Sequence, residues 1–70
     1  MKAMNALKAQ KIVADWNAKY PIGTHVNCRK DDGSIMNTHT RSEAWAICHV
    51  PVVMVRGIVG GYALSRVTPV

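Results

Sequence analysis

Residues 2–20 contain neither glycine nor proline, and the stretch Pro21-Ile22-Gly23 ends that run. This break constrains the fold more than any other feature. Proline excludes the α region for the residue before it, and glycine opens turn conformations closed to other residues. Ahead of the break the chain is rich in Ala, Lys, Leu and Met, all good helix formers. Ala9, Ile12, Val13, Trp16 and Tyr20 recur at helical spacing on one side, with Ala6 flanking. Lys8, Lys11, Asp15 and Lys19 fall on the other side, and Asp15 precedes Lys19 by one helical turn, the favourable order for an ion pair. The spacing predicts a helix over 2–20 whose apolar stripe packs on the rest of the chain. Met4 and Leu7 point away from that stripe.

Beyond the break the composition shifts to Val, Thr, Ile, Gly and His, and no helical period persists. Residues 24–30 and 34–41 read as two strands around Asp31-Asp32-Gly33. A two-residue loop would set Val26 beside His39 and Cys28 beside Asn37, mixing inward and outward residues. A three-residue loop pairs Cys28 with Met36 and Val26 with Thr38 on one face. It then pairs His25 with His39, Asn27 with Asn37 and Arg29 with Ile35 on the other. Only this register separates inside from outside, and Gly33 supplies the left-handed residue that ends such loops. Trp45 is expected to turn inward and cap one end of the core, as large aromatics do in small domains. "PVVMVRG", residues 51–57, is apolar on both sides, like a central strand. Gly57, Gly60 and Gly61 mark a tight turn or bulge, after which Tyr62, Leu64 and Val67 are core candidates and Pro69 stops further pairing. The expected fold is α+β and mostly β. It is a single domain over 1–70: an N-terminal helix (2–20) packed on a small SH3-like antiparallel barrel of four or five strands (24–69).

A chain of 70 residues builds one marginal core. Together with the doubly apolar strand 51–56, this predicts a homo-oligomer, a dimer or tetramer. Nine Lys and Arg against four Asp and Glu give a net charge of +5, which points to a partner with an anionic surface: a host protein or a nucleic acid. No stretch resembles an export signal or approaches the ~20 apolar residues of a membrane span, so a cytoplasmic protein with reduced thiols and no membrane partner is expected.

Cys28, Cys48, His25, His39 and His49 are metal-ligand types without a ligand spacing, and Cys28 and His25 belong to opposite strand faces. No metal and no cofactor is therefore expected. Gly57 to Gly61 lacks the lysine and following helix of a phosphate loop, and no nucleophile–base–orienter set is legible, so no enzyme is expected.

"WNAKYPIGTHV", "DDGS", "TRSEAW", "PVVMVRGI" and "GGYALSRV" together resemble a group of uncharacterised short proteins of bacteria, phages and mobile elements, over residues 16–68. The resemblance implies an accessory protein of a phage or mobile element and carries over no catalytic residue. In size and expected fold the chain is also similar to plasmid-type dihydrofolate reductases, SH3-like barrels that build one active pore from four chains. "GTHV" and "YALSRV" fall in comparable places, but the reductases' Val-Gln-Ile-Tyr pore motif has no match here.

The resulting expectation is a small basic non-enzymatic binding module for a host protein or acidic surface, with a nucleic-acid-binding protein using a basic hairpin as the first alternative and an oligomeric enzyme similar to the plasmid-type dihydrofolate reductases as the second. The binding face is placed on the first hairpin: His25, Asn27, Arg29, Asn37, His39 and Arg41. A secondary surface is placed on the helix at Met4, Leu7, Lys8 and Lys11.

Overall fold

The computed structural model describes residues 5–70. Helix α1 spans Ala6–Lys19 and is capped by Asn5, whose side chain accepts from the Lys8 amide at 2.8 Å. The expected start at residue 2, and the surface role given to Met4, lie outside the described residues. At the other end the Tyr20 amide still reaches the Trp16 carbonyl at 2.8 Å before Pro21 stops the helix. Ala9 is buried, and Ile12, Val13 and Trp16 pack against the core, as the stripe predicts. The expected Asp15–Lys19 pair does not form. Asp15 pairs backwards with Lys11 at 3.9 Å, an exposed contact that contributes little.

The strands are β1 (His25–Arg29), β2 (Ile35–His39), β3 (Trp45–Ile47), β4 (Val50–Val53), β5 (Tyr62–Ala63) and β6 (Val67–Pro69); a single 3-10 turn, Leu64–Arg66, precedes β6. They form two antiparallel three-stranded sheets, ordered β2-β1-β6 and β3-β4-β5. The architecture is thus α+β and mostly strand. Among the described residues the strands number six rather than four or five: the segment around Trp45 folds as a strand of its own, and the 3-10 turn divides the last segment into β5 and β6. The sheets do not close into a barrel. They meet at one bridge, Thr40 with Val55, flanked by backbone hydrogen bonds from Arg41 to Met54 (2.9 Å) and from Arg56 to His39 (3.0 Å). No helix among the described residues is long and apolar enough to cross a membrane.

The β1–β2 register is the one the three-residue loop predicts, with His25 opposite His39 and Cys28 opposite Met36. The core lies between the sheets and α1 and contains Val26, Cys28, Ala44, Val53, Val55, Leu64 and Val67. β4 is the central strand of its sheet, as its apolar composition requires. Burial raises the Cys28 thiol pKa.

Trp45 departs from expectation. It pairs with Val52, which pairs with Ala63, so these three share one face of the second sheet. Val53 and Tyr62 occupy the other face and belong to the core side. Trp45 is therefore half-buried on the outside, where it covers Val52 instead of capping the core. Gly61 makes room for this packing: a Cβ there would lie 2.9 Å from Val52 Cγ2 and 3.3 Å from Trp45 Cζ2. Gly61→Ala is expected to cost about 1–3 kcal/mol by overpacking. Chemical denaturation checks this, and an unchanged midpoint would place the Trp45 ring elsewhere.

Candidate nucleic-acid or anion interface

Alternation along β1 and β2 turns Val26 and Cys28 into the core and leaves His25, Asn27 and Arg29 on the outer face, opposite His39, Asn37 and Ile35. The face holds together through its own side chains. The His25 and His39 rings lie edge to face with centroids 6.1 Å apart, and the Asn37 amide donates to Asn27 Oδ1 at 2.9 Å. That bond uses the Asn27 oxygen and leaves its amide nitrogen as a donor.

Five of the six hairpin residues placed on this face are there. Arg41 is not. It follows the bend at the Thr40–Val55 bridge, and its guanidinium donates to the Val55 and Ile58 carbonyls, both at 3.2 Å. It ties down the glycine-rich turn after β4.

β6 brings three residues that sequence reasoning overlooked. Its pairing sets Thr68 opposite Asn27, while Val67 points into the core. The preceding 3-10 turn delivers Ser65 and Arg66 beside them. Asn27, Arg29, Ile35, Ser65, Arg66 and Thr68 line a pocket of about 260 Å³. Every lining side chain except that of Ile35 is a hydrogen-bond donor. The signal was present in the alternation: placing Val67 in the core also places Thr68 outside.

One of the lining residues is paired with an acid. Asp31, on the β1–β2 loop, accepts a hydrogen bond from and forms an ion pair with Arg66. The Asp31 hydrogen bond, and next the Tyr62 hydroxyl, raise the Arg66 pKa above the usual guanidinium range. The same tyrosine hydroxyl donates to the Arg29 carbonyl, which anchors the end of β1 to the second sheet. Asp32 has a different task. Its carboxylate accepts from the Ser34 hydroxyl at 2.6 Å and the Ser34 amide at 2.9 Å; these bonds hold its pKa below the ordinary range and brace the loop. Arg29 has no acidic partner among the described residues.

The helix surface is less organised. Leu7 is 80% exposed, Lys8 is exposed, and Lys11 is paired with Asp15. The outer face of the second sheet is apolar, with Trp45, Ile47, Val50 and Val52 side by side in the β3–β4 register. Cys48 is exposed, because with His49 it forms the two-residue turn of that hairpin. Among the described residues no three His, Cys, Asp or Glu side chains converge as metal ligands. No protein-family model, curated protein or solved structure matches the chain.

Proposed function

We propose that this chain is a small basic binding module without catalytic chemistry, which docks an anionic partner on the outer face of the β2-β1-β6 sheet. The observation that carries this reading is the open pocket of about 260 Å³ that Arg29 and Arg66 line together with Asn27, Ser65 and Thr68. Guanidinium forks with amide and hydroxyl donors around one small volume suit an oxyanion. The Thr40–Val55 bridge joins the sheets at one corner, and we read the arrangement as a half-open SH3-like barrel with its basic face turned outward. The setting that fits the resemblance over residues 16–68 is an accessory protein of a phage or mobile element, working in the host cytoplasm.

Retention on heparin and on polyglutamate tests the face. Arg29→Ala with Arg66→Ala removes two charges from the pocket; Lys8→Ala with Lys19→Ala removes two from the helix. The pocket variant is expected to elute at clearly lower salt, with about 1–3 kcal/mol of affinity lost. Equal elution of the two variants would show that net charge alone governs binding.

A second copy of the chain is the partner proposed for the other sheet. Trp45, Ile47, Val50 and Val52 carry no charge, and Ile47 and Val50 remain 47% and 40% exposed. A two-fold contact would set this patch on itself. Light scattering at high micromolar concentration is expected to give at least twice the chain mass, and Ile47→Lys to give the monomer. A wild-type monomer under those conditions rejects self-association.

A further inference from the structure

We infer that the pocket between β1, β6 and the 3-10 turn is a phosphate subsite for a nucleic-acid strand, and that Asp31 occupies Arg66 until the phosphate displaces it. This rests on the reading of the basic face given above and names its ligand.

The donors select the chemistry. One guanidinium fork is enough for a planar carboxylate. Here Arg29 and Asn27 approach from β1, Thr68 from β6, and Ser65 and Arg66 from the 3-10 turn. Donor-bearing side chains from three elements line one volume, which offers a phosphate's several oxygens more partners than a carboxylate can use. The surroundings select the source. Asn37 and the His25–His39 pair continue the same face, which holds no acid among its strand residues. Ile35, 59% exposed at the pocket wall, offers an apolar surface to a sugar or base. A strand that carries a phosphate at each nucleotide finds partners along this whole face for both backbone and base edges.

Asp31 is placed to compete. Asp32 and Ser34 brace the loop, so Asp31 has no structural duty there. Its side chain is 91% exposed, and its only ion pair among the described residues is with Arg66. An exposed pair of this kind is weak, so an incoming phosphate can replace the carboxylate on the same guanidinium.

The test is fluorescence anisotropy of the full chain with a labelled oligothymidylate at low salt. Asp31→Asn is compared with Asp15→Asn, which removes the same charge from the helix. Asp31→Asn is expected to bind about fivefold tighter than Asp15→Asn, the scale of one exposed ion pair. Arg66→Gln and Arg29→Gln are each expected to bind about tenfold weaker than wild type. Inorganic phosphate should compete with the oligonucleotide in the wild type. Equal affinity of the two Asn variants overturns the Asp31 assignment, and because this arm seeks a gain, misfolding of an arginine variant cannot imitate it. Retention on polyglutamate that depends on Arg29, without oligothymidylate binding, overturns the nucleic-acid ligand and leaves the basic-face reading standing. Binding of a phosphoserine peptide with the same Asp31→Asn gain, but no oligothymidylate binding, also overturns the proposal, since it moves the phosphate onto a protein. Loss of all polyanion binding removes both readings.

Discussion

Trp16→Ala is expected to lower the stability of this protein by about 3 kcal/mol, the low end of the range for removing a large aromatic from a packed site. The low end applies because Trp16 is half-buried. The loss is nevertheless severe. The buried core consists of Val26, Cys28, Ala44, Val53, Val55, Leu64 and Val67, none larger than leucine. Apolar area from the helix must therefore complete it, and Trp16 is the largest side chain of the stripe, with its ring centroid 4.6 Å from that of Tyr20. A domain of this length has a total stability of only about 4–10 kcal/mol. Urea denaturation followed by circular dichroism should show a much lower midpoint. An unchanged midpoint would mean that the helix does not complete the core.

Asn17→Ala is expected to cost about 2–4 kcal/mol, comparable to the tryptophan although only a small polar side chain is lost. Asn17 grips Ala44 at both backbone groups: its amide donates to the Ala44 carbonyl at 3.1 Å, and its carbonyl accepts from the Ala44 amide at 2.8 Å. Ala44 is a core residue. Without Asn17 both of its backbone groups stay buried and unpaired, and the cost of such groups exceeds the net gain from an ordinary hydrogen bond. Asn17→Asp should also destabilise, since a carboxylate accepts from the Ala44 amide but sets a second acceptor against its carbonyl. Hydrogen exchange at the Ala44 amide separates this clamp from a general loosening: it should accelerate more than exchange at Cys28 or Val53. Uniform acceleration across all three would reject the clamp.

The candidate site was legible where strand alternation governs it. His25, Asn27, Arg29, Asn37 and His39 share a face because side chains alternate and the loop length sets which residues oppose. Arg41 obeys the same alternation on paper and fails because the chain bends at Thr40, where β2 leaves its sheet to meet Val55. Ser65 and Arg66 were not legible as site residues. They precede β6, and nothing local says that β6 pairs with β1 and not with β4 or β5.

The sequence alone determined the helix, its inward stripe and the register of the first hairpin. Each depends on interactions over a few residues: Asn5 capping the Lys8 amide, Pro21 halting the helix, Gly33 accepting a φ of +87° in a three-residue loop. Tertiary structure alone decided the second hairpin. Cys48 and His49 turn it with φ values of +47° and +64°, a left-handed conformation that neither residue favours by itself. They adopt it because β4 must run back against β3 to place Pro51 and Val53 under the helix side of the sheet while Val52 faces Trp45. The same packing turned Trp45 outward and carried Arg66 to Asp31 across 35 residues of chain. Local preferences differ by about a kilocalorie per mole, whereas burying a valine or leucine side chain is worth about 1.5–3 kcal/mol. Where the two conflict, as at Cys48 and His49, burial across distant segments prevails.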